Sequence, residues 1–211
     1  MRAILEQYIL LENKADLRAN KVKAMQAFLV AFETEEPLSL NEIKMLMGSI
    51  PIRQLVFEQL IYPTLNGGIE AESIEAVNLM LELIQHVYAF QSRREEWKYY
   101  ANDLIDIGLR LDPLDNRLRK MKYDSAVQFL SYSIHEVPIG VLWDNDGANE
   151  IQCQELLEYA DEFEQLSQSL SRDDSELLAQ CRYYYRSYAA YLAARASYAN
   201  FAAYLEQHPH Q

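Results

Sequence analysis

Glycine and proline are scarce in this chain, six of each among 211 residues, against average shares of about 7% and about 5%. A β-rich fold needs such residues in its many turns, so their scarcity excludes an all-β architecture. Cysteine is scarcer still. Cys153 and Cys181 have no metal-type spacing and build no disulfide framework, which predicts two small buried hydrophobes in a reducing, cytoplasmic setting. No stretch approaches the ~20 apolar residues of a membrane span. The amino-terminal segment lacks the pattern of a secretory leader, because Lys14, Arg18, Lys21 and Lys23 interrupt its apolar positions. Cations are few overall: 19 Lys and Arg stand against 32 Asp and Glu, a net charge of −13. Broad nucleic-acid binding needs a basic surface that displaces counterions, so it is not expected.

What is present points to helices. Half of the residues are apolar, enough for a sizeable core, and Leu, Ala, Glu and Gln are good helix formers. The predicted class is all-α, with about eight helices arranged as antiparallel hairpins in a repeat-like bundle. The whole chain is read as one domain, with possible sub-units 1–62 and 69–211 around a loop at 63–68.

Apolar residues from Ile4 to Phe32 recur at spacings of three and four, and Pro37 ends that pattern. Ser39 with Glu42 three residues later forms a capping-box signature for a short helix stopped by Gly48. Pro51 suits the first turn of the next helix, to about Tyr62. The run Pro63-Thr-Leu-Asn-Gly-Gly68 reads as a loop. A helix follows to about Gln91. Ser92, with Glu95 and Glu96, caps another that runs through Trp97 to Leu111, where Asp112-Pro113 breaks it. Further helices are predicted at about 116–135, 150–170 and 174–207. The last would approach ~50 Å if unbroken.

Signatures of catalysis and metal binding are missing. Asn66-Gly67-Gly68 lacks the Lys-Ser/Thr of a phosphate loop. None of His86, His135, His208 and His210 stands in a zinc-protease or di-iron frame. Glu82 and His86 lie one helical turn apart, which suits a surface pair or a satisfied core histidine. The stretch Asp144–Gly147 resembles a calcium loop only until Ala148 and Asn149 occupy positions that need a ligand and a glycine. No catalytic residue, metal ligand or cofactor is therefore assigned. The segment from Leu40 to Leu55 is spaced somewhat like a helix-turn-helix reader, but its second helix offers Arg53 as its only cation.

Three features suggest a partner surface. Val137–Asn149 is irregular with Trp143 at its centre, either a functional loop or a ring plugging the gap between helices. Tyr184, Tyr188 and Tyr191 share one face of an alanine-rich helix, as a packed seam or as an interface. From Tyr123 through Ser171 there is no Lys or Arg, and Glu155, Glu158, Asp161 and Glu162 crowd one helix there. Its apolar residues Ile151, Leu156, Leu157, Ala160, Phe163 and Leu166 mark the buried side. The acids meet either Arg117, Arg119, Lys120 and Lys122 of the same chain or a basic partner.

Ala101, Ile105, Gly108 and Pro113 follow the small–large–small–proline order of a second helix in the tetratricopeptide repeat, which this segment resembles. Phe201, Tyr204 and Pro209 echo its later part. The resemblance implies stacked helix pairs with a concave face for protein or peptide ligands, and no catalytic residues. The function expected is non-enzymatic binding of a protein or peptide, including that of an acidic antagonist or chaperone of a basic partner. The alternative is a transcriptional regulator with a degenerate helix-turn-helix near 40–55 and a helical sensing body.

Overall fold

The apolar spacing near the amino terminus resolves into α1 (Ala3–Lys14) and α2 (Arg18–Phe32), which bury Leu5 and Tyr8 against Met25, Phe28 and Phe32. The computed structural model describes residues 2–14, 17–33, 35–89, 97–139, 141–143 and 147–209, which contain helices and no strand. Two compact units divide the chain, Met1–Asp115 and Asn116–Gln211. In the first, the Tyr8 and Phe28 rings stack with centroids 4.2 Å apart. Ser39 and Glu42 form the capping box of α3 (Leu40–Ser49), each bonding the other's backbone N–H. Glu42 also receives two bonds from Arg2, at 2.7 and 2.8 Å. These contacts, led by the Arg2 bond, hold its carboxyl at about 2, well below the usual carboxylate range.

The next helix corrects two expectations. Pro51 does not begin it: Arg53 is the extended N-cap residue, and α4 (Gln54–Val56) follows. Nor is 63–68 a loop. A π turn, Phe57–Ile61, carries α4 directly into α5 (Tyr62–Glu70), so the run of Pro, Asn and Gly lies inside one rod. The physical reason is the register change. In the π turn the Tyr62 N–H already reaches back five residues to the Phe57 carbonyl, so the N–H missing at Pro63 falls where the ladder has shifted. Thr64 Oγ1 then donates to the Leu60 carbonyl at 3.2 Å. Gly68 has a packing role, since a Cβ there would lie 2.7 Å from that of Ala76 on the next helix.

That next helix, α6 (Ile74–Glu82), is capped by Ser73 and separated at Leu83 from α7 (Ile84–Tyr88), where an uninterrupted helix was expected. The predicted caps at Ser92, Glu95 and Glu96 lie outside the described residues. Trp97 is not helical. It is buried against Tyr62 and Phe57, and α8 (Ala101–Leu111) starts after it with Tyr100 as N-cap residue.

In the second unit α9 (Asn116–Glu136), α10 (Glu150–Ser169) and α11 (Ser175–Ala193) each touch the other two. Cys153, Ala160, Cys181, Leu130 and Tyr185 are fully enclosed among them. Both cysteines are free and buried, and burial raises both thiols, Cys153 to about 11, so neither is a reactive thiolate. The expected unbroken last helix is cut by a 3-10 turn, Arg195–Ser197, and Asn200 then caps α12 (Phe201–Gln207) by accepting the Ala203 N–H at 2.9 Å. Alanine-rich propensity conceals that stop; the asparagine cap decides it. With α4, the π turn and α5 counted as one rod, the described residues form 11 helices rather than about eight.

Candidate functional site

The connection from α9 to α10 is pinned on both sides among its described residues. The Ala148 N–H donates to the Val137 carbonyl at 2.8 Å, and the Tyr188 hydroxyl donates to the Pro138 carbonyl at 3.3 Å. Gly147 adopts φ +77°, and a Cβ there would stand 2.5 Å from the Pro138 oxygen, so only glycine fits. Asn149 then caps α10 reciprocally with Gln152, at 2.8 and 2.9 Å. A 3-10 turn, Val141–Trp143, lies beside the start of α10.

The result is an open cleft of about 740 Å³ between that turn, the first turn of α10 and the end of α11. Leu142, Trp143, Ile151 and Leu192 supply its apolar wall, with Glu150 and Arg195 at its margin. Trp143 packs half-buried on the core of the unit while lining the cleft, so it fills a gap and also presents a surface. Ile151 corrects the sequence reading: it was expected on the buried side of α10 and is 72% exposed.

Sequence comparison adds nothing to this picture. No protein-family model, curated protein or solved structure matches the chain.

Glu155, Glu158, Asp161 and Glu162 of α10 are exposed, as their spacing predicts, and Glu164 is half-buried. Ile151, Glu155, Glu158 and Glu162 follow one another at intervals of four, three and four, so they form a single stripe about 16 Å long. Gln154 donates to Glu158 at 3.1 Å. Asp161 lies on the adjacent flank and, with Glu164, takes Arg182 of α11 at 2.6 and 2.7 Å. Arg182, which the sequence reading did not name, therefore neutralises Asp161 and Glu164. Of the cations it did name, Arg119 bonds Ser169 and Lys120 pairs with Asp124.

The tyrosine face is drawn inward. Tyr188 and Tyr191 are buried, with their ring centroids 5.0 and 5.6 Å from that of Phe201 on α12. Tyr184 is half-buried at the rim and meets Phe201 edge-on at 6.4 Å. The broken last helix is the cause, because α12 covers a face that a straight rod would have left open.

Elsewhere, His86 hydrogen-bonds Gln54 at 2.9 Å and stacks on Phe57, and burial lowers its pKa. The described residues contain no group of three His, Cys, Asp or Glu side chains able to hold a metal. Arg53, the one cation of the supposed recognition helix, pairs with the buried Glu12.

Proposed function

We propose that this protein is a non-enzymatic binding module whose second unit takes a peptide or protein segment. The segment presents a large apolar side chain followed by lysines or arginines. The observation that carries this reading is the continuity of the cleft, with its Leu142, Trp143, Ile151 and Leu192 wall, with the acidic stripe: Ile151 lines the cleft, and Glu155, Glu158 and Glu162 extend the same helical face away from it. The apolar anchor fixes position in the cleft. The exposed carboxylates, screened by water and salt, contribute orientation and encounter rate more than affinity. Trp143 supplies a rigid aromatic wall of the kind that concentrates binding energy at interfaces. An acidic antagonist or chaperone of a basic partner fits this description, in a cytoplasmic setting. The regulator reading is less well supported, since Arg53 is engaged by Glu12. Helix pairs such as α1–α2, α5–α6 and α10–α11 pack as sequence neighbours, in keeping with a hairpin-built, tetratricopeptide-like body.

Fluorescence anisotropy with short labelled peptides tests the proposal. Peptides joining Leu or Trp to a Lys/Arg run are expected to bind, and Ile151→Glu is expected to weaken them by tenfold or more. Equal binding of Asp/Glu counterparts, or indifference to Ile151→Glu, would overturn it.

A further inference from the structure

The first unit carries a segment of the kind proposed for the cleft of the second. At the junction of α1 and α2, Leu17 is 65% exposed, and Arg18 and Lys21 follow it. Lys14, the last residue of α1, adds a third cation there. Among the described residues none of Lys14, Arg18 and Lys21 has an ion pair. Leu114, 78% exposed, also precedes cations, but those have partners already: Arg119 bonds Ser169 and Lys120 pairs with Asp124. At the α1–α2 junction an exposed leucine instead stands beside free positive charge.

The receiving surface matches it. Glu155, Glu158 and Glu162 have no cation partner among the described residues, and Leu142, Trp143, Ile151 and Leu192 wall an open cleft beside them. Like charges one helical turn apart, Arg18 with Lys21 and Glu155 with Glu158, repel while each set faces water alone; contact relieves both. The reach is right as well. Leu17 and Arg18 are about 3.8 Å apart along the chain, and Glu155 lies about 6 Å beyond Ile151 on α10. With Leu17 against Ile151, a flexible arginine spans the difference and meets Glu155. We propose that the α1–α2 junction of one copy docks in the cleft of another, so that copies join head to tail through a heterologous contact. The inference rests on the cleft's taking apolar-then-basic segments, and it adds a regulation of that site: a basic segment from outside must displace the second copy.

Sedimentation equilibrium of the full chain at low salt, over a roughly hundredfold concentration range, tests this. The average mass is expected to rise with concentration above that of one chain. Leu17→Asp with Arg18→Glu should weaken association tenfold or more, and both replacements suit the N-terminus of α2. Glu155→Lys, Glu158→Lys and Glu162→Lys together should do the same from the other side. Mixed, the two variants should form a complex of two chains, because one keeps the cleft and the other keeps the junction. Labelled peptides joining Leu to a Lys/Arg run separate this inference from the reading beneath it. The junction variant should bind them at least as tightly as the unaltered chain, and excess peptide should return the unaltered chain to monomer. A chain that binds the peptides yet stays monomeric overturns self-docking alone; one that binds none and stays monomeric overturns both. Failure of the mixture to associate, association untouched by the junction variant, or association that excess peptide leaves intact would also contradict self-docking.

Discussion

In the first unit a charged pair, Glu12 with Arg53, is closed in beside Tyr8, and Glu12 Oε2, Arg53 Nε and the Tyr8 hydroxyl have no hydrogen-bond partner among the described residues. In the second unit the buried Tyr185 hydroxyl meets Ser133 Oγ at 2.5 Å, and Ser133 also donates to the Leu130 carbonyl at 3.0 Å. Both are polar groups in helical cores, but their costs differ. A buried charge loses hydration worth several kcal/mol, which its partner must offset through nearly ideal geometry. A neutral hydroxyl pair loses far less and recovers most of it in the bond. Burial first, then the Glu12 charge, raises the Tyr8 hydroxyl to about 12, and burial raises that of Tyr185 further still, so the contrast lies in the charges rather than in the hydroxyls. Two small helical bodies on one chain thus reach closure by different means, and the first is the more vulnerable to loss of a single polar group.

The largest expected effect follows directly. Glu12→Ala leaves Arg53 without its counter-charge and should cost about 3 kcal/mol in urea unfolding, while Glu12→Leu with Arg53→Met should be neutral or stabilising. A loss below about 0.5 kcal/mol for Glu12→Ala would place the pair in the class of surface ion pairs and erase the contrast. Next comes acid. Glu42 in the folded state titrates at about 2 against an ordinary 4.5. Its contribution is therefore complete above about 4.5 and fades as pH falls toward 2. Arg2→Ala should flatten that part of the stability profile and cost about 2 kcal/mol at neutral pH; an unchanged profile would show that Arg2 does not hold the carboxylate.

Gly67 and Gly68 show what the sequence could and could not disclose. Their composition suggested a loop, and a helix was found because the π turn ahead of Pro63 absorbs the missing donor. Single-sequence propensity carries no sign of that register shift. Gly68→Ala should cost about 1–3 kcal/mol by forcing α5 from Ala76. Gly67→Ala, with open space around its Cβ position, should gain about 0.5–1 kcal/mol from helix propensity. If both substitutions gave the same sign, the close helix contact would not be the reason for the pair. By contrast, local chemistry made several features legible: the Ser39–Glu42 box, the break at Asp112-Pro113 and the two buried cysteines. The candidate site was half legible. Trp143 and the acids stood out, but Ile151 was assigned to the core because its hydrophobicity outweighed its place in the Glu155–Glu158–Glu162 stripe. Tyr188 and Tyr191 stood open between a packed seam and an interface because the Asn200 cap, which folds α12 over them, reads through as helix. Tyr185→Phe brings the smallest loss, about 1 kcal/mol, since Ser133 keeps its bond to Leu130; a loss like that of Glu12→Ala would make the two cores equally strained.

The binding role proposed for α10 is tested most directly by the rate at which it meets a basic, apolar-anchored peptide. Glu155→Lys, Glu158→Lys and Glu162→Lys together leave Ile151, Trp143 and the Arg182 pairs in place. Stopped-flow measurement should find association slowed about tenfold or more at low salt, with the difference shrinking as salt rises and the melting temperature nearly unchanged. Association equally fast at low salt, or a large fall in melting temperature, would contradict a binding role for the acidic stripe and assign it to solubility or to internal packing.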